Sequence, residues 1–469
     1  MKRVLSVFVV LLACSGTAAA KDLMGVFQDA LHADPVIRQA DANRRAAREA
    51  RPQAWAAILP QINGTASTTR DHSAGFQDQI TQLTPTSPVV VVPFGTVADT
   101  TTNQWGLSLR QNLFSWANWM SLKAASSEVA QAEATYRAAE QALILRVSQA
   151  YFNVLAAEDG LEANQTSLQA IQRQLDQAEK RFEVGLIAIT DVQEAKAARD
   201  SAAAAVIAAK RTLATSEDQL QEITGQKYDA LRKPGADMPL NSPAPADESR
   251  WVQVSLDQNL SLISSRLAAD IARDNVRIAV GGHVPTLDVI ANRTYLKSDA
   301  NQVIDGFSFP GVDTKNNDRN IMLQVTVPLF TGGLTQSKVR EAEYRWIAAK
   351  EGVVQSSRAT ERAARDAYLG VISGIARVHA LKQALASSDT ALKATEAGYA
   401  VGTRTAVDVL NARKILVQAQ TDYSGSRYDY IVSMLQLRLA AGNLDPNELA
   451  EINGWLSVPA PTSPRVETP

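Results

Sequence analysis

Residues 181–192 read RFEVGLIAITDV, and residues 398–409 read GYAVGTRTAVDV. Val184, Gly185, Asp191 and Val192 of the first phrase match Val401, Gly402, Asp408 and Val409 of the second, 217 positions on each time. The same spacing carries Tyr151 to Tyr368, Leu168 to Leu385, Leu175 to Leu392, Phe182 to Tyr399 and Gly225 to Gly442. A spacing that holds over so long a stretch leaves no room for insertions. It suits long rigid helices and marks the chain as an internal duplication. Gly185 and Gly402 stand where each copy turns, just past a helix end, where a left-handed residue is favoured.

Proline placement shows where the helices run. None occurs between Pro93 and Pro234, or between Pro328 and Pro446; inside a helix a proline costs about 3 kcal/mol. In the first gap apolar residues recur at Val147, Tyr151, Val154, Leu161, Leu168, Ile171, Leu175, Ala178 and Phe182. Steps of three, four and seven make a coiled-coil seam. The second copy keeps Tyr368, Val371, Val378, Leu385, Leu392 and Tyr399, but Lys382, Ser388 and Thr395 interrupt it, so the copies face different surroundings. The pattern predicts helices near 35–57, 116–184, 190–225, 257–281, 332–401 and 405–442. The second of these would be roughly 100 Å long at 1.5 Å per residue. Thr190-Asp191-Val192-Gln193 reads as a capping box.

Strands flank the helices. Pro60–Arg70 and Gln104–Phe114 alternate in polarity, as do Pro285–Tyr295 and Ile321–Phe330 in the second half. From Pro60 to Pro285 the spacing is 225, and the 71–103 loop, longer than its counterpart at 296–320, absorbs the difference from 217. About ten residues each suits a tilted membrane strand. The smallest membrane barrels have about eight strands, so a chain with four must oligomerise or has no membrane role. The Val89–Val92 run reads as an extension of the barrel rim; a contact patch for phage or a neighbouring chain is the alternative.

The first 20 residues read as a secretory signal: Lys2 and Arg3, an apolar run from Val4 to Ala13 too short to span a bilayer, and Ala18-Ala19-Ala20 for cleavage. Its removal takes the formal charge from −2 to −4. Cys14, the single cysteine, lies within it, so the mature chain has no thiol chemistry; a lipidated Cys14 is the alternative. The expected division is signal 1–20, first repeat 21–225, Pro-rich linker 226–249, second repeat 250–442 and C-terminal segment 443–469, whose PAPTSPRVETP end has a disordered composition. The charge balance argues against nucleic-acid binding. Four scattered histidines show no metal-ligand spacing. Neither a phosphate loop nor a nucleophile elbow is present, so neither an enzyme nor a cofactor is expected.

These residues resemble the TolC family of outer-membrane channel proteins. DLMGVFQDALHADP (22–35) is similar to that family's first helix, RFEVGLIAITDVQ (181–193) and EAGYAVGTRTAVDVL (396–410) to its two hairpin tips, and PLFTGG (328–333) to its strand-to-helix corner. The resemblance implies a mainly α fold with membrane β: a long antiparallel coiled-coil α-barrel tunnel in the periplasm, and four strands per chain in a trimeric twelve-stranded barrel in the outer-membrane lipid. It implies an exit duct for multidrug efflux or type I protein secretion, driven by an inner-membrane transporter of the resistance-nodulation (RND) or ABC type and joined to it by a periplasmic adaptor. A non-pore coiled-coil envelope protein is the rival reading, and would not need the paired strands. An adaptor is a third, but adaptors have one helical hairpin.

The resemblance also implies a gate. Asp191 would accept a hydrogen bond from Tyr399 of its own chain and pair with Arg404 of a neighbour. Asp408 and Asn411, one helical turn apart, would ring the pore. The residues also admit plainer readings: Asp191 and Asp408 as first-turn acids favoured by the helix dipole, Asp408 as the partner capping Thr405, and Tyr399 as packing. What favours the gate is where the copies differ, since Arg404 matches Ile187.

Overall fold

The computed structural model describes residues 20–461 apart from 82–85 and 236. The 1–19 stretch with Cys14, expected to be a signal, residues 82–85 within the 71–103 stretch, and most of the PAPTSPRVETP end lie outside the described residues. The elements in order are α1 (Leu23–Ala33), α2 (Pro35–Arg48), α3 (Ala50–Ala56), β1 (Gln61–Thr81), β2 (Val90–Phe114), α4 (Trp116–Glu183), α5 (Ile189–Thr224), β3 (Ala230–Pro234), α6 (Glu248–Gln258), α7 (Leu260–Val280), β4 (Thr286–Ile304), β5 (Phe307–Thr326), α8 (Leu334–Ala400), α9 (Ala406–Ala441), α10 (Pro446–Asn453) and β6 (Leu456–Pro461). Two compact units result, and each draws on both repeats: one on Met1–Arg45, Gln131–Arg266 and Gly352–Pro469, the other on Ala46–Ala130 and Leu267–Glu351.

In the first unit the seam of α4 is the core. Val147, Tyr151, Val154 and Leu155 are fully buried, with Leu161, Ile171 and Leu175 close behind. Each such side chain contributes about 1.5–3 kcal/mol when removed from water. Val371, Val378 and Leu392 bury the second seam on α8, while Lys382 in the same seam is exposed. The predicted helix at 35–57 is broken at Glu49, and that at 257–281 is two helices meeting at Asn259. Asn259 is extended, and its Oδ1 accepts from Leu262 N, so it ends α6 and caps α7.

The 226–249 stretch and the C-terminal segment carry more structure than their composition suggests. β3 pairs antiparallel with β6, burying Leu231, Leu456 and Ala460, and α10 buries Leu449 and Ile452. The strand extends to Pro461, because prolines are tolerated in an edge strand.

The second unit holds a four-stranded antiparallel sheet, in the order β1-β2-β4-β5. The strands have 21, 25, 19 and 20 residues, twice the predicted ten. The apolar signal ends where the predicted strands do, but the backbone ladder needs no apolar side chain and continues through the 71–103 and 296–320 loops. β4 and β5 close through Asp305 (φ 49°) and Gly306 (φ 82°), the left-handed pair of a two-residue hairpin. At the other end β5 stops at Thr326 rather than Phe330, and left-handed Gly332 and Gly333 lead into α8.

The hairpin tips and the sheet as candidate functional site

Register sorts the sheet into two faces, because directly opposed residues point the same way. One face carries Ile62, Leu109, Ala291 and Ile321 in one row and Ala66, Trp105, Tyr295 and Asn317 in another. The other carries Thr65, Gly106, Thr294 and Asp318, with Ser108, Asn292 and Asn320 in the next row. A bulge between Asn112 and Phe114 moves Phe114 opposite Leu287, onto the apolar face. Trp105 stacks on Tyr295 at 5.9 Å. From Trp105 to Phe114 is about 30 Å along the strand, which a tilt of about 35–45° reduces to roughly the height of a membrane barrel's apolar band between its aromatic girdles.

The two tips close alike. After α4, Leu186 N donates to Arg181 O (2.9 Å) and Gly185 has φ 74°; after α8, Thr403 N donates to Gly398 O (2.8 Å) and Gly402 has φ 82°. The left-handed glycine lets the chain reverse and satisfies a terminal carbonyl.

They reopen differently. α9 starts with a capping box: Asp408 Oδ2 accepts from Thr405 N and from Thr405 Oγ1, both at 2.9 Å, while Asp408 N donates to Thr405 Oγ1 at 3.2 Å. The Thr405 backbone and hydroxyl hydrogen bonds hold the Asp408 carboxyl below the usual carboxylate range. In the first copy the matching position is Ala188, so α5 has no side-chain cap and the predicted box on Thr190 does not form. Thr190 already lies inside the helix, one residue past its start. Ile187, opposite number of Arg404, packs on a small core of Leu175, Ala178, Val192 and Ala195.

Of the predicted gate residues, Asp191 and Tyr399 are half-buried and Arg404 is exposed. Within one chain they are not joined: among the described residues the Asp191 carboxylate and the Tyr399 hydroxyl have no hydrogen-bond partner. Instead the Arg181 guanidinium lies over the Tyr399 ring, 5.2 Å from its centroid. Gly398 makes room for Arg404, since a Cβ there would stand 2.8 Å from Arg404 Cγ. Asp408 is half-buried, and Asn411 is exposed one turn further on.

Sequence reasoning missed the ion pair between Arg413 on α9 and Glu396 on α8. An opposite-charge pair flanking the turn was the available signal. It also missed Asp159 on α4, whose carboxylate accepts from Tyr428 on α9 (2.8 Å) and from Lys233 on β3 (3.2 Å).

One chain holds both a sheet apolar on one face and polar on the other and paired helices of 68 and 36 residues and of 67 and 36, and the class of protein this fits is an outer-membrane protein with a lipid-facing sheet. The model of the family described as "Outer membrane efflux protein" matches residues 26–226 and 251–443. Outer membrane protein TolC of Vibrio cholerae is 36% identical over 460 residues, covering 98% of this chain and 99% of the relative. The alkaline protease secretion protein AprF of Pseudomonas aeruginosa is 27% identical, covering 92% of this chain and 86% of its own length. The structure of the outer membrane protein VceC of Vibrio cholerae superposes with a TM-score of 0.70 at 23% identity, covering 90% of this chain and 96% of that one. The chain belongs to the outer membrane efflux protein family, and is an outer-membrane channel.

Proposed function

We propose that three copies of this chain form one passive duct. Each gives its four strands to a twelve-stranded barrel in outer-membrane lipid and its two hairpins to a periplasmic tunnel. The duct works with a periplasmic adaptor and an inner-membrane RND or ABC transporter that supplies the energy. The observation that carries this reading is the two-faced four-stranded sheet: four strands cannot close a barrel alone, and a coiled-coil protein without a pore has no use for a lipid-facing band. The repeats 21–225 and 250–442, joined by 226–249, supply the outer and the inner helical hairpin respectively.

At the tips, Asp191, Tyr399 and Arg404 form the closing network. Asp191 and Arg404 meet between neighbouring copies, where the carboxylate can accept a bidentate pair. Each exposed link contributes under about 1 kcal/mol, weak enough for a partner to open. Asp408 and Asn411 ring the constriction, giving one charged ring and one amide ring. Oδ1 of Asp408 is free of the cap, so capping and pore lining are compatible.

The likeness to a protease secretion protein supports a secretion role beside efflux. Deleting the gene and assaying both drug sensitivity and secreted protein tests this. Heightened sensitivity alone assigns efflux, lost secretion alone assigns secretion, and no change in either contradicts the reading.

A further inference from the structure

On the apolar face, one row short of Trp105 and Tyr295, the register places Gly64, Leu107, Arg293 and Arg319 side by side. Arg293 and Arg319 are directly opposed across an antiparallel pair, where like charges repel. Among the described residues neither guanidinium has a carboxylate partner. Asp318, next in sequence, points to the other face. Arg293 turns toward the aromatic row and lies over the Trp105 ring, 5.6 Å from its centroid.

A second opposed cation pair shows what is missing. Lys297 and Lys315 face each other four residues further out, but Asp299 and Asp313 follow in the next row, and Lys297 Nζ is 3.1 Å from Asp299. In the outer pair Lys297 has a carboxylate partner within the chain, and in the inner pair neither arginine does among the described residues.

Trp and Tyr settle at the depth where lipid tails give way to headgroups. Long arginine side chains just below that depth reach up to it. Two guanidiniums without a carboxylate partner on a lipid-facing surface call for an anion from outside the chain, and the anions at that depth are lipid phosphates.

We infer that Arg293 and Arg319 form a binding site for a phosphate-bearing lipid headgroup in the external leaflet of the outer membrane. Each planar guanidinium can hold two phosphate oxygens at once. The inference rests on the reading that the sheet spans this membrane with its hairpin ends outward.

The test is native mass spectrometry of the full-length protein in detergent, with lipid A carrying two phosphates, or the same lipid dephosphorylated, as probes, and planar-bilayer recording of the same preparations. Wild type should retain the phosphorylated probe at least tenfold better than the dephosphorylated one. Arg293→Gln/Arg319→Gln should lose that preference while still conducting, and Arg293→Lys/Arg319→Lys should keep part of it. Conducting wild-type channels with no preference between the probes would overturn the lipid site and leave the channel reading intact, as would an unchanged preference in the Gln variant. Wild-type protein that forms no channels would overturn both.

Discussion

The guanidinium of Arg413 on α9 meets the carboxylate of Glu396 on α8, tying the two arms of the α8–α9 hairpin near its turn. Arg413 is only 19% exposed, while Glu396 keeps 42% of its side chain in water. Its counterpart in the first copy, Lys196, has no carboxylate partner among the described residues. Arg413→Ala should loosen the inner arms by about 1–3 kcal/mol, as expected when a charge-assisted hydrogen bond is lost. Lys196→Ala should do little. Amide exchange along α8 and α9 checks this; equal effects of the two variants would contradict it.

The cap at Thr405 keeps the Asp408 carboxyl ionised, and the proposed pore ring takes its charge from that carboxyl. Because its hydrogen bonds hold Asp408 ionised below the usual carboxylate range, block of the pore by a trivalent cation should be unchanged between pH 7 and pH 5. Block should also be weaker than in a relative carrying two acidic rings, since Asn411 supplies only amides, and Asp408→Asn should abolish it. Thr405→Ala should cost about 1 kcal/mol of local helix stability and return the carboxyl toward its ordinary 3.8, so that on acidification below pH 5 the block is lost at a higher pH than in wild type. Bilayer recordings from pH 7 down through the carboxylate range decide it.

Glu158 on α4 gives a separate pH signature. Its Oε2 is buried without a partner. Burial raises its carboxyl to about 7; Lys233 opposes this, while Asp159, Glu162 and Glu217 add to it. The folded state therefore binds this proton more tightly than the unfolded chain, whose carboxyl titrates near 4.5. The resulting stability is fully present below that value and is lost as pH rises through 7. Glu158→Gln should match wild type near pH 4.5 and exceed it at pH 8 by on the order of 2 kcal/mol. Thermal unfolding at both pH values checks it; an equal difference at both would count against the account.

Helices were legible because one seam repeats at a fixed spacing: α4 begins at Trp116 and ends at Glu183, close to the predicted 116–184. Strand ends were not, since Thr, Asn and Asp continue β1 and β2 through backbone pairing that carries no apolar signal. The Asp305-Gly306 turn was a readable cue, passed over because it lay within a presumed loop. Gly185, Gly402 and the Thr405–Asp408 cap could be read from residue type. Contacts brought together by the fold, such as Asp159 with Tyr428 and Lys233, have no local pattern to betray them.

On the proposed function, copies of this chain form one pore held shut at the tip that carries Arg404 where the first copy has Ile187. Single-channel recording of the purified protein in planar bilayers tests it most directly. Wild type should give small, uniform conductance steps, and Arg404→Ser should give distinctly larger ones. Steps of equal size in the two proteins, or none in either, would contradict it.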